Sequence, residues 1–207
     1  MTAGIRNGDG RSRIILASGS ASRRMLLANA GLEFEVVPSA FDEDAARGAL
    51  DTGGVTPGDV AEVLARGKAE EVSGRYPDAV VIGGDQILAL DDEIYTKPAD
   101  MDAARATLLK LRGQTHTLNC GVCIALDGVV TWAHVDTAHM TMRDFSPEWL
   151  GRHLAAAGED VCQSVGAYQL EGAGVQLFEK IEGSYFTILG LPLLPLLGAL
   201  RGMGAVA

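Results

Sequence analysis

Three short stretches carry side chains whose types and spacing could do chemistry. In LASGSASRR, Leu16 to Arg24, three serines, a glycine and two arginines separate one apolar run from the next. A strand that ends in small polar residues and hands over to a helix presents unpaired N–H groups at the positive end of the helix dipole. Ser18 and Ser20 would add hydroxyls there, and Gly19 would let a ligand approach the backbone. Arg23 and Arg24 fall in the first helical turn, where cations oppose the dipole unless an anion is held there too. The same residues also fit ordinary N-capping beside a solvated arginine pair. The stretch contains no G-x-x-x-x-G-K-[ST], so it is not a P-loop.

The second stretch is VIGGDQIL, Val81 to Leu88. Asp85 follows a buried-strand pattern and two glycines, where α/β proteins bind ligands. It could hold a divalent metal or orient a water, or it could simply end the strand in an Asx turn. The third set is scattered. Glu43 lies in the acidic run Phe41-Asp42-Glu43-Asp44, whose plain reading is a solvated loop. Lys68 follows Gly67 inside a helical pattern, and Lys97 precedes Pro98. Either lysine alone reads as a surface residue. Together, however, the ends of several elements supply serines, carboxylates and cations, the mixture that phosphoanhydride chemistry uses.

The elements that must position these groups can be read from periodicity and punctuation. Ile14 to Ala17 reads as a buried strand, Arg23 to Ala30 as a helix stopped by Gly31, and Phe34 to Val37 as a second strand. Thr56-Pro57 begins a helix that runs to about Ser73. Its internal Gly67, costly by about 1 kcal/mol relative to alanine, signals a close approach. Ala79 to Ile82 is a strand that Gly83-Gly84-Asp85 ends, and Gln86 to Leu90 resumes after a break. A turn at Asp91-Asp92 and a helix from Asp100 to Gly113 follow. Two long strands, roughly Thr115 to Leu126 and Val129 to Met142, are joined by an Asp127-Gly128 hairpin. A helix starts at Ser146-Pro147 and ends near Gly158. The glycine-punctuated remainder reads as strands before a last helix, Pro192 to Arg201. The expected fold is α/β, a twisted mixed sheet flanked by helices on both faces, with a central antiparallel hairpin.

The bulk properties narrow the function. The chain has 207 residues, 47% hydrophobic and 21% charged, a globular composition large enough for one domain. A net charge of −10 argues against nucleic acid as a partner. It leaves room for a small anionic substrate gripped by a few converging cations. The first 12 residues are polar and glycine-rich and read as a disordered tail without a signal-peptide core, so residues 13–203 form the expected domain. The apolar stretch Ile188 to Leu200 is interrupted by two prolines and too short for a bilayer, so no membrane partner and a cytoplasmic location are expected. Cys120 and Cys123 form a C-x-x-C, but on a strand they point to opposite faces. With no second pair to complete a metal site they read as buried thiols. His116, His134, His139 and His153 form no metal-binding spacing and read as structural or surface residues.

The ordered blocks resemble the Maf-like nucleoside triphosphate pyrophosphatases over about Ile14 to Arg201. LASGSASRRMLL is similar to that family's S-x-S-x-x-R segment, and SAFDED to its acidic segment. LARGKAEEV is similar to its A-x-x-K-A helix, and IGGDQILALDDEIYTKPAD to its G-x-D-[TQ]-x…KP segment. GQTHTLNCGV and VGAYQLEGAG…IEGSYFTILGLPL match later blocks. The resemblance implies a Maf/ITPase-like fold and a homodimer. It also implies hydrolysis of nucleoside triphosphates between the α and β phosphates to a monophosphate and pyrophosphate, with Mg²⁺ or Mn²⁺. It places Asp85 as proton acceptor, and Ser18, Arg23, Glu43, Lys68 and Lys97 at polar active-site positions. On that reading Ser18, Ser20 and Arg23 hold the triphosphate, Glu43 and Asp85 the metal, and Lys68 and Lys97 the leaving pyrophosphate. Gln86 and Glu171 resemble the 7-methyl-GTP subgroup, where a glutamate can accept from guanine N–H groups. Ser22 departs from the tryptophan or arginine found there in the two specificity subgroups, and Ala21 from the usual proline.

Three functions compete: a house-cleaning pyrophosphatase for noncanonical or methylated nucleotides, a non-enzymatic nucleotide-binding regulator of cell division, and a nucleotide hydrolase that releases orthophosphate. A binder has no need of a water-activating carboxylate, so Asp85, Glu43, Lys68 and Lys97 together favour the enzyme.

Overall fold

The computed structural model describes residues 12–50, 54–91 and 93–207. The expected tail lies, but for Ser12, outside them. The elements in order are β1 (Ile14–Leu16), α1 (Ala21–Asn29), β2 (Glu35–Val36), α2 (Glu43–Leu50), α3 (Pro57–Arg75), β3 (Val80–Leu90), β4 (Glu93–Tyr95), α4 (Met101–Leu111), β5 (Thr115–Leu126), β6 (Val129–Met142), α5 (Pro147–Ala157), β7 (Phe178–Glu182), α6 (Tyr185–Ile188) and α7 (Leu193–Gly202). Two 3₁₀ turns, Glu159–Gln163 and Ala173–Leu177, precede β7.

Seven strands form one mixed sheet in the order β2-β1-β3-β5-β6-β7, with β4 paired to β3. β1 runs parallel to both β2 and β3, whereas β3–β4 and β6–β7 are antiparallel. Asp127 and Gly128 both take positive φ, +48° and +75°, as a type I′ hairpin turn requires. The α/β class with a central hairpin is therefore as the sequence suggested. Three expectations differ, the first being the stretch after Gly158, which holds two 3₁₀ turns, the strand β7 and the helix α6 instead of strands alone. Gly83-Gly84-Asp85 does not break the strand, which continues through all three residues. The acidic run is not a loop, because Glu43 and Asp44 form the first turn of α2, where carboxylates favour the helix dipole.

The chain divides into two compact units. Of the described residues, the first comprises those up to 85 with 120–136 and 185–207, and the second those within 86–119 and 137–184. In the first, the two-residue period of the strands sorts the core into two layers. Ile14, Leu16, Val80, Ile82, Val122 and Ile124 pack with Leu26 and Leu27 of α1 and Leu193, Leu196 and Leu200 of α7. Ile15, Ala17, Ala79, Val81, Cys123 and Ala125 pack on the other side with Ala65, Ala69 and Val72 of α3. Helices thus cover both faces of the sheet in this unit. In the second unit, the fully buried His116 accepts or donates a 2.8 Å hydrogen bond with the Tyr168 hydroxyl, and Tyr168 meets Phe178 edge to face at 4.8 Å. No helix among the described residues is long and apolar enough to cross a membrane.

Candidate active site

Thr56 caps α3 in a reciprocal capping box with Asp59, which fixes where the helix starts. One face of α3 then carries Ala61, Ala65 and Ala69, four residues apart. Opposite them the strands carry glycine. A Cβ added at Gly83 would lie 2.3 Å from the Ala65 carbonyl oxygen, and one at Gly121 2.5 Å from the Ala61 carbonyl oxygen. Only glycine lets helix backbone and sheet backbone approach this closely. Gly83, which looked like part of a strand break, is with Gly121 the seat of α3.

That approach lowers Lys68 onto Asp85, which points to the same face of β3 as Val81 and Gly83. Lys68 is 9% exposed and Asp85 5%. The ammonium Nζ donates to Asp85 Oδ1 at 2.6 Å and pairs with Glu43 Oε1 at 2.9 Å. Glu43 is delivered by the Phe41 ring, which occupies the space of a missing side chain at Gly67: a Cβ there would lie 2.4 Å from Phe41 Cζ. This is the close approach that the mid-helix glycine signalled. One cation therefore sits between two carboxylates. Asp85 Oδ2 is buried without a hydrogen-bond partner, an arrangement that costs about 1–3 kcal/mol until a ligand satisfies it. The donor set fits a hard, oxygen-seeking divalent cation. Such ions commonly take one or two carboxylates and complete their shell with substrate phosphate and water. It does not fit an all-protein cage, because no group of three or more His, Cys, Asp or Glu among the described residues could hold a metal.

On the opposite face of β3 lies the serine and arginine group. Arg23, Leu26 and Leu27 share the buried face of α1, so Arg23 turns inward while Arg24 stays exposed. Arg23 is 8% exposed. Its Nε donates to the Gly190 carbonyl at 2.7 Å and its Nη1 to Ser18 Oγ at 2.9 Å. Its stem lies against Gly84, where an added Cβ would sit 3.2 Å from Nε. Ser20 caps α1 by accepting from the Arg23 amide, and the Ser20 amide donates to Ser18 Oγ. The sequence showed neither the inward turn of Arg23 nor its acceptor, 167 residues away. The i, i+3, i+4 spacing of Arg23, Leu26 and Leu27 was the available signal.

The structure thus gathers Ser18, Ser20 and Arg23 into one group and Glu43, Lys68 and Asp85 into another, both in the first unit. Ser22 lies half-buried in the first turn of α1. Gln86, Lys97 and Glu171 belong to the second unit. Gln86 follows Asp85 on β3 and points to the opposite face. Lys97 is exposed between β4 and α4, and Glu171 is exposed just before the second 3₁₀ turn. Cys120 and Cys123 are free, buried thiols, and burial pushes both up to about 12. Sequence reasoning missed a further contact in the first unit: Thr187 donates to Asp136 Oδ2, tying α6 to β6.

A family model described as "Maf-like protein" matches residues 13–203. A protein of Mesorhizobium japonicum named 7-methyl-GTP pyrophosphatase is 57% identical over 94% of this chain and 98% of its own length. One of Caulobacter vibrioides named nucleoside triphosphate pyrophosphatase is 50% identical over 93% of this chain and 96% of its own. Among solved structures, a HAM1 protein from Coxiella burnetii aligns with a TM-score of 0.40 at 14% identity, covering 65% of this chain and 74% of that one.

Proposed function

The chain belongs to the Maf-like family, and from that premise we propose that it is a nucleoside triphosphate pyrophosphatase. It would cleave the α–β phosphoanhydride to a monophosphate and pyrophosphate, with modified nucleotides such as 7-methyl-GTP as substrates. The observation that carries the reading is Asp85: a buried carboxylate with one oxygen held by Lys68 and the other unpartnered. A carboxylate fixed in this way is suited to accept the proton of an attacking water from a defined direction. Glu43 and Asp85 would hold Mg²⁺ or Mn²⁺. The ion's chemistry would be to neutralise phosphoryl oxygens and make the attacking water more acidic. The amino-terminal end of α1 with Ser18, Ser20 and Arg23 supports a triphosphate grip. Lys68 and Lys97 are proposed to offset the charge of the leaving pyrophosphate. Gln86, Glu171 and Ser22 are proposed to select the base, in keeping with the relatives named for 7-methyl-GTP. A homodimer, which rests on the family resemblance, and action in the cytoplasm belong to the same proposal.

The experiment is a panel of nucleoside triphosphates, canonical and methylated, incubated with Mg²⁺ and either the wild type or Asp85→Asn. Asp85→Asn is expected to lose turnover while keeping its fold by circular dichroism. Near-wild-type turnover in that variant removes Asp85 from the mechanism. Tight nucleotide binding with no turnover by the wild type would favour the non-enzymatic regulator.

A further inference from the structure

We propose that Arg23 is a positioning residue: it locks the Ser18 hydroxyl as a one-way donor towards the phosphate. The inference rests on the pyrophosphatase reading and changes the role of one residue within it. A serine hydroxyl has two acceptor lone pairs and one O–H donor. Ser18 Oγ receives the Ser20 amide at 3.3 Å and Arg23 Nη1 at 2.9 Å. Both lone pairs are therefore engaged by N–H groups, and only the O–H remains. Ser18 is 7% exposed, and that proton is left for a ligand. The hydroxyl can thus only donate, and it does so beside the start of α1, where an anion is favoured.

Arg23 is built for this task. Two of its nitrogens are bound to protein, Nε to the Gly190 carbonyl and Nη1 to Ser18. Glycines at 84 and 190 leave room for its side chain: Cβ atoms added there would lie 3.2 Å and 3.6 Å from its Nε. Only a planar fork can serve the Gly190 carbonyl and Ser18 together. Lysine carries its donors on one flexible, rotatable ammonium and lacks the rigid two-nitrogen spacing that fits both acceptors.

The test is a double-substitution cycle on Ser18→Ala and Arg23→Lys, read as kcat and KM for a nucleoside triphosphate with Mg²⁺. Each single variant is expected to lower kcat/KM about 10- to 100-fold, the range for losing one charge-assisted or phosphate-directed hydrogen bond. If Arg23 acts through Ser18, adding Arg23→Lys to Ser18→Ala lowers kcat/KM by no more than about threefold further. Multiplication of the two losses would overturn the proposal, because it would mean that Arg23 meets the substrate on its own. The same cycle is run on the affinity for a triphosphate with a methylene α–β bridge. If the wild type binds this analogue but turns over no nucleotide, the pyrophosphatase reading fails, while the coupling between Ser18 and Arg23 is still decided by affinity. Should Arg23→Lys not fold, Ser18→Thr and Ser18→Ala carry the test. Thr keeps both lone pairs and the donor and is expected within about threefold of wild type, with Ala about 10-fold or more below it. Equal losses for Thr and Ala, or none for Ala, would overturn the proposal.

Discussion

Replacing Lys68 with methionine tests whether the site is held together by charge. The substitution keeps much of the stem's volume but removes the ammonium from between two carboxylates. Lys68 and Asp85 side chains are 11% and 7% exposed, so solvent screens their 2.6 Å contact little. Glu43, 38% exposed, can return to water at small cost. The penalty therefore falls on Asp85, left ionised and buried with neither oxygen paired. Breaking a buried pair by removing one partner costs about 3–5 kcal/mol. In a chain of this size each kcal/mol lowers Tm by about 2–4 °C, so a fall of roughly 6–20 °C is expected by calorimetry. A second substitution, Asp85→Leu in the Lys68→Met background, removes the stranded charge. It is expected to recover about half the loss or more, since an apolar pair often replaces a buried ion pair without penalty. A Lys68→Met melt within about 2 °C of wild type would mean that charge does not hold the site together. So would a double variant less stable than the single one.

Other expectations follow from the same geometry. Gly83→Ala drives a Cβ to 2.3 Å from the Ala65 carbonyl, an atom of helix backbone that cannot yield; a loss of about 1–3 kcal/mol or more is expected in urea melts. Gly67→Ala meets only the Phe41 ring, so stability should change little, because the alanine gains about 1 kcal/mol of helix propensity. Displacing Phe41 should instead shift Glu43 and lower turnover. His116 is buried and held down to about 4 from 6.5. The unfolded chain therefore binds the extra proton first, and stability is lost as pH falls from about 6.5 towards 4, by up to about 3 kcal/mol. His116→Gln should flatten that part of the pH profile. Among the cysteines, the half-buried Cys162 should react with iodoacetamide in the native protein, while Cys120 and Cys123 should stay unlabelled on the same timescale.

How much was legible varied with whether the signal was local. Thr56-Pro57, Asp100, Ser146-Pro147 and Asp127-Gly128 each carry their own turn or cap chemistry, and each marks an element boundary where the sequence suggested one. Gly83-Gly84 misled because glycine punctuates a chain and also admits close packing, and only the partner decides which. Here the partners are Ala65 and Ala69 on one side and Arg23 on the other. The acidic run reads as a loop, yet two of its three carboxylates begin a helix; Asp42 accepting from the Ala45 amide is the cap that could have revealed it. After Gly158 the expected strands are largely 3₁₀ turns, with one strand at Phe178–Glu182, because tight glycine turns leave little periodicity to read. The carboxylates and Lys68 could be named from residue type, but the 2.9 Å bond from Arg23 to Ser18 and its counterpart to Gly190 depend on the helix face and on a distant carbonyl.

The central claim is cleavage of a nucleoside triphosphate between its α and β phosphates. Phosphorus NMR of 7-methyl-GTP incubated with the wild-type protein and Mg²⁺ tests it most directly. Stoichiometric pyrophosphate and nucleoside monophosphate are expected, and neither should appear with Asp85→Asn. Orthophosphate with a nucleoside diphosphate, or an unchanged spectrum for every nucleotide tried, would contradict it.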